Sequence, residues 1–596
     1  MNRKAWVQVS YAVLIIALVL PASAAVAQDD PAILPVDAIR PGMRGVGRTV
    51  IRGTRIEEFP FEVLGVTQGP PGKLVLFRAG GEVIRRSGGT AAGMSGSPMY
   101  IGGRMAGALS YGYVFAGPDS DLGLFTPIEA MLAVLRGGRG AGRPSGVVAL
   151  DRPQRIGGRV VHAIALTASA EEAQRIEAGR GPVAAMAPVA VPLLVSGASP
   201  RAFRMLEETL RSANVVPIQS YGGTRTFPEA PLVPGSAVGV ALVRGDLTVA
   251  SIGTLSYRRG REFLAFGHPM FGFGESDYML TTAYVHTVVR AQRLPFKEGD
   301  IGSVVGVVSQ DRIAAIGGEV GRLPRVFNVM VTVNDQETGR RVELSAQMIR
   351  REDLAQLLAP QVALAALDRA WDAVGAGTAE VKLTLRGGGL PRPVERTNLF
   401  YSGRDVAVAS VLDIPDAIRL LFNNEYAPIR ATDLRVEVTL TRRRVTATIA
   451  EAQVESRTVP QGGQLRVRLR VRPYQEEDQL SRVVEVAIPR NFPKGPTLLV
   501  VSGAGSMRDD VPPDVQFVQK LRSEPPASPF DKLDDALRFF QEFGRNTDIL
   551  IQLIPFGVPP SDDPTKRFIY FDQFAGRLVR TPWVVKGEVV IPIVVD

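Results

Sequence analysis

The segment Gly89-Thr90-Ala91-Ala92-Gly93-Met94-Ser95-Gly96-Ser97-Pro98 sets two hydroxyls among glycines and ends on a proline. A serine hydroxyl becomes a nucleophile when a base takes its proton and when donors wait where the oxyanion of the attacked carbonyl forms. Glycine permits the tight backbone that turns successive N–H groups inward. Ser95 falls in the turn, and the amides of Gly93 and Ser95 are the natural oxyanion pair. Ser97 precedes Pro98, which drives it into an extended conformation at the start of a strand, so it reads as a local hydrogen bonder. The chemistry on offer is acyl transfer from a carbonyl carbon; the plain alternative for such a cluster is an ordinary turn.

A base must come from elsewhere, and the chain holds 3 histidines, His162, His268 and His286. His162 in "RVVHAIAL" and His286 in "AYVHTVV" sit inside alternating strands, where packing or exposure accounts for them. His268 ends an apolar strand between Gly267 and Pro269, a position from which an imidazole projects into a cleft. It is the preferred partner for Ser95.

At this point the residues resemble a family. "GMSGSPMYIGGRMAGALSYGYVF", with "TPIEAML" after it and "IGTLSYRRGREFLAFGHPM" further on, resembles the SpoIVB peptidase family, exported serine peptidases related to the chymotrypsin-like double β-barrel group. The likeness covers roughly residues 41–135 and 232–335. It implies Ser95 as nucleophile, matching the first serine of the family's Gly-Met-Ser-Gly-Ser-Pro motif, and His268 as base, matching its Ala-Leu-Gly-His motif. The halves come in the opposite order here, serine before histidine. A catalytic triad is defined by geometry, so permuted halves can still assemble it. The family's acid would fall at Gly80-Gly81, where no carboxylate stands. Glu82 is nearest; Asp119, Asp121, Glu275 and Asp277 are the alternatives, and the third triad member is left unassigned. The reaction requires no cofactor.

The elements that must position these residues are mostly strands. "RTVIRGTRIEEFPFEVLGV" reads as a hairpin turning near Gly53, "PMYIGGRMAGAL" as another across Gly102-Gly103, and "VASIGTLSYRRGREFLAF" as a third at Arg259-Gly260. Ser199 and Pro200 open a helix with Phe203, Leu206 and Leu210 on one face. In "QLRVRLRVRPY" Leu465, Val467, Leu469 and Val471 share one face, and Arg466, Arg468, Arg470 and Arg472 the other. That arginine ladder is either a solvated outer face or a grip for a polyanion.

The expected fold is therefore mainly β and multidomain: a chymotrypsin-like double β-barrel split by an α/β insert, then an immunoglobulin-like β-sandwich and an α+β tail. The boundaries are a signal peptide at 1–27, a serine-bearing β half at 33–136, the insert at 146–228 and a histidine-bearing half at 229–338. A mixed α/β connection follows at 339–430, the sandwich at 431–506 and the tail at 507–596.

Arg3 and Lys4 precede an apolar stretch, and Ala25-Val26-Ala27 offers small residues for cleavage before Gln28, so the chain reads as exported, periplasmic or extracellular, with no membrane span after leader removal. The formal charge of +9 falls to +7 when Arg3 and Lys4 leave, which points to anionic envelope polymers or lipid headgroups rather than nucleic acid; the plain alternative is a solvated surface, since most of the charge is arginine spread along the whole length. With 0 cysteines, thiol catalysis and cysteine metal sites are excluded, and 3 scattered histidines make no metal centre. The expected function is an exported serine endopeptidase acting on envelope polypeptides or on itself; the competing reading is an inactive peptidase-fold scaffold.

Overall fold

A computed structural model of the protein describes residues 32–596 apart from 70–71, 114–119, 138–145, 157, 168–169, 180, 189–191, 212–216, 221–226, 229–230, 292–294, 372–373, 477–479, 506, 508–509, 523–529, 531 and 562–563. The expected leader at 1–27, Asp119 and most of the Gly/Arg/Pro linker lie outside the described residues. Strands take 52% of the chain and helices 19%, so the fold is mainly β. No helix of the described residues is long and apolar enough to cross a membrane.

The first sheet contains β1 (Arg44–Val50), β2 (Ile56–Gly69), β3 (Gly72–Ala79), β4 (Pro98–Ile101), β5 (Arg104–Tyr113), β6 (Leu122–Pro127), β7 (Gly146–Ile156), β8 (Arg159–Leu166) and β9 (Val183–Pro188). Its order runs β1-β4-β5-β6-β3-β2, and β2 pairs back onto β1 to close a ring. The same sheet continues β2-β7-β8-β9, and β9 pairs with β5 to close a seven-stranded barrel on shared strands. Closure leaves no edge for intermolecular pairing. Gly102 and Gly103 both take positive φ, 56° and 76°, the geometry of a type I′ turn that suits the twist of the β4–β5 hairpin.

The second sheet contains β10 (Leu193–Ser196), β11 (Pro217–Gln219), β12 (Ala237–Gly245), β13 (Thr248–Arg259), β14 (Glu262–Ala265), β15 (Gly274–Val289), β16 (Phe296–Arg312) and β17 (Ala315–Val320). The order β13-β14-β17-β16-β15-β12 closes where β12 pairs with β13. Residues 146–228 therefore divide between the two sheets: β7, β8 and β9 belong to the first, while β10 and β11 extend the second from β13. Local periodicity shows that these segments are strands but carries no information about which edge they join.

From β12 the second sheet runs on through Arg341–Ile349, Val326–Asp335, Arg430–Thr441, Gly377–Gly388 and Val394–Ser402. Helix Glu352–Ala370 packs on it and buries nearly every side chain, in keeping with a sequence apolar all round.

The sandwich has a different make-up from the sequence boundaries 431–506. Strand Arg430–Thr441 belongs to the second sheet, and the sandwich draws on the chain's last strands. One layer holds Thr446–Val454, Gln464–Pro473, Leu480–Ala487 and Val584–Lys586; the other holds Thr458–Val459, Gly495–Gly503, Asp548–Pro555, Ala575–Arg580 and Glu588–Val595. Leu465, Val467, Leu469 and Val471 lie inside this core, and the arginine ladder faces outward. Arg466 bonds Glu485 and Glu455, and Arg470 bonds Glu451, so acidic neighbours interrupt the ladder's positive field.

Candidate active site

Between helix Gly81–Ser87 and β4 the chain makes a tight, buried turn, and the fate of each amide in it is informative. Thr90 N–H donates to Ser120 O, Ala92 to Pro295 O, Met94 to Ala91 O, Gly96 to Leu109 O and Ser97 to Met94 O. Among the described residues the Gly93 and Ser95 amides donate no hydrogen bond. The reason lies in their carbonyl partners. A trans peptide sets its N–H opposite its C=O. Ala92 O accepts from Lys297 N at 2.9 Å, and Met94 O accepts from Ser97 N at 2.9 Å and from Ser97 Oγ at 2.6 Å. Both carbonyls are thus turned away, leaving the Gly93 and Ser95 N–H groups directed to the other side of the loop. Ser97 is the local bonder that fixes the second of these peptides.

Ser95 is 0% exposed, and its Oγ makes no hydrogen bond. Unpaired buried hydroxyls are uncommon because each forfeits its bonds to water. The positive φ values at Gly93 and Gly96, both 88°, account for the glycines. At Gly96 crowding adds to this, since a Cβ there would lie 2.1 Å from Thr254 O and 2.4 Å from Phe266 N.

That contact brings in the histidine. Leu109 O on β5 accepts from Gly96 N, and a Cβ on Gly267 would sit 2.9 Å from the same Leu109 O. Thr126 Oγ1 on β6 donates to Gly267 O at 2.7 Å, and Thr254 N on β13 donates to Ser95 O at 2.9 Å. The serine turn and the histidine turn therefore meet in one seam between the two sheets. Ser95 Oγ does not hydrogen-bond to His268 in this arrangement.

The histidine turn is itself unusual. Gly267 N donates to Ala265 O across Phe266, whose φ is 70°. This is a γ-turn of the strained hand on a bulky residue, a conformation that concentrates at functional sites. His268 is 2% exposed, walled by the rings of Phe266 and Tyr111. Its Nδ1 lies 2.7 Å from Pro269 O. A carbonyl oxygen only accepts, so Nδ1 carries the proton and Nε2 is the basic nitrogen, the tautomer a general base requires.

His162 and His286 stand elsewhere. His162 is exposed on β8, and His286, also exposed, pairs with Asp300 at 2.9 Å across the β15–β16 ladder. The candidate acids are occupied by arginines: Glu82 by Arg85, Asp121 by Arg78 at 2.7 Å and Asp277 by Arg325 at 2.9 Å. Glu275 is exposed on β15.

Two residues at the seam carry no local sequence signal. Asp311, near the end of β16, is 0% exposed and accepts from the amides of Met270, Phe271 and Gly272 at 2.8, 2.9 and 3.0 Å, and from Tyr278 Oη at 3.2 Å. Burial raises its pKa, and the three amides oppose that shift. It fixes the segment directly after Pro269, whose carbonyl orients His268. Asp311→Ala leaves those donors without an acceptor, and urea unfolding is expected to show a loss of about 3–5 kcal/mol.

Lys297, at the start of β16, is 0% exposed and reaches Thr49 Oγ1 at 3.0 Å and Thr254 Oγ1 at 3.3 Å. No ion pair reaches it among the described residues, and burial brings its pKa from 10.5 down to about 7. Between pH 7 and 10.5 the unfolded lysine holds a proton that the folded one lacks, so stability rises with pH in that window and is flat below it. The slope is about 1.4 kcal/mol per pH unit. Denaturation of the wild type and Lys297→Met at pH 7.5 and 9.5, on the order of 2 units apart, is expected to show the variant without this contribution.

Among the described residues no cluster of His, Cys, Asp and Glu is arranged to hold a metal. An open cleft lined by Arg44, Arg48, Glu58, Tyr100 and Arg258 includes neither Ser95 nor His268. No protein-family model, curated protein or solved structure matches this chain.

Proposed function

We propose that the chain is an exported serine endopeptidase of SpoIVB type, on a permuted chymotrypsin-like pair of barrels, that cleaves polypeptide in the cell envelope or its own chain. Ser95 Oγ attacks the scissile carbonyl while His268 Nε2 takes its proton. The tetrahedral oxyanion is held by the Gly93 and Ser95 amides. The C–N bond then breaks, His268 returns the proton to the leaving amine, and water releases the acyl group by the same steps in reverse order. The Pro269 carbonyl does the orienting that an aspartate does in a triad. One observation carries this reading: a turn that bonds its other amides keeps the Gly93 and Ser95 N–H groups undonated beside an unbonded serine hydroxyl. The sandwich serves as the docking module.

A second reading, an inactive scaffold or binding protein on the same fold, is favoured by the complete burial of Ser95. Catalysis requires the seam to part so that substrate can enter; a scaffold keeps it shut. Treating the mature protein and Ser95→Ala with a fluorophosphonate probe separates the two. The peptidase labels in the wild type alone, whereas a folded wild type that never labels leaves the scaffold.

A further inference from the structure

Lys297 is the most deeply buried cation among the described residues, and its ammonium meets two threonine hydroxyls where the buried Arg396 meets the Asp413 carboxylate. Its surroundings tie it to the serine turn at four points. Its amide donates to Ala92 O, which turns the Gly93 N–H the other way. Its stem passes so close to Gly93 that a Cβ there would lie 3.1 Å from both Lys297 Cβ and Cδ. Its Nζ donates to Thr254 Oγ1, which passes its own proton to Gly93 O at 3.2 Å. Thr254 N in turn donates to Ser95 O. Thr254 therefore holds the Gly93–Met94 peptide through its hydroxyl and the Ser95–Gly96 peptide through its amide, each the next peptide along from one that carries an oxyanion N–H, and the direction of its hydroxyl is set by the lysine.

We infer that Lys297 is a positioning residue for the oxyanion turn, acting through the Thr254 hydroxyl to hold Gly93 and Ser95 with their amides directed at the developing charge. This deepens the peptidase reading and rests on it. Donors that miss the oxyanion position by a fraction of an ångström lose most of their effect on the transition state and little of their effect on substrate binding. An ammonium or a neutral amine can each donate to both hydroxyls, and an apolar chain of the same length cannot.

The test uses the full mature chain with a dye-labelled unfolded polypeptide and the fluorophosphonate probe. Lys297→Met keeps the volume of the stem, and Thr254→Val that of the threonine. Each is expected to lower kcat and the probe's labelling rate about 10- to 100-fold at unchanged KM, less than the about 10²- to 10³-fold cost of removing an oxyanion donor outright, because the donors are misplaced and not lost. Thr254→Ser, which keeps the hydroxyl, is expected to restore the rate. Hydrogen exchange at the Met94 and Gly96 amides supplies a readout independent of activity and is expected to quicken in Lys297→Met. Wild-type rates in both Lys297→Met and Thr254→Val overturn the positioning role and leave the peptidase standing. A folded wild type that neither cleaves nor labels defeats the peptidase reading instead; unchanged exchange in Lys297→Met would then overturn the structural half of the inference too.

Discussion

Ser95→Ala is expected to reduce the hydrolysis of an unfolded polypeptide by about 10⁴-fold or more in kcat, because the group that forms the acyl-enzyme is gone. The same change is expected to leave the protein as stable as the wild type or more so, by up to about 1–2 kcal/mol. The Ser95 hydroxyl is buried without a hydrogen bond, and alanine removes an unsatisfied polar group from a closed interior. A packing serine would behave in the opposite way, with no loss of activity to set against its structural role. Gain of stability with loss of function marks a residue retained for its chemistry. Initial rates and urea unfolding of one preparation decide the matter, and activity within tenfold of the wild type would rule Ser95 out.

His268→Ala follows with an expected loss in kcat of about 10³- to 10⁵-fold. Members of a catalytic unit fail together, so the Ser95→Ala/His268→Ala double variant is expected to be no slower than Ser95→Ala alone. Losses that multiply instead would show two independent roles. His286→Ala, on the exposed face of the β15–β16 ladder, is the comparison that should keep its rate.

Both expectations depend on a site that is closed in this structure. Ser95 and His268 are 0% and 2% exposed, and they lie where loops of the two sheets interlock through Leu109, Thr126, Thr254 and Phe266. Catalysis therefore requires the seam to open to substrate and the Ser95–His268 hydrogen bond, not made in this arrangement, to form around it.

How much of this was legible in advance divides along the range of the interactions. Hairpins at Gly102-Gly103 and, one residue on from the expected Arg259-Gly260, at Gly260-Arg261, and the helix starting at Pro200, are set by neighbours a few residues apart, and they stand where periodicity and turn chemistry place them to within a residue. The turn at Ser95 was equally readable, because glycine spacing and a following proline are local features. Pairing partners were not. Nothing near Gly146 reveals that its strand joins β2, or near Glu588 that the final strand pairs with Gly495–Gly503. The same limit hid Lys297 and Asp311. Each looks like an ordinary charge beside an alternating run, and each is buried only because β16 crosses the seam. The acids near the serine in sequence, Glu82 and Asp121, are both committed to arginines, while the histidine turn is anchored by a carboxylate from the end of β16.

The central claim is that Ser95 attacks a carbonyl whose oxygen is received by the Gly93 and Ser95 amides. A crystal structure of the protein after reaction with diisopropyl fluorophosphate examines this directly. The account predicts phosphorus bonded to Ser95 Oγ, its phosphoryl oxygen about 2.7–3.1 Å from both amide nitrogens, and His268 Nε2 facing the esterified oxygen. Phosphorus on another side chain, or on Ser95 with its oxygen turned away from Gly93 N, would contradict it.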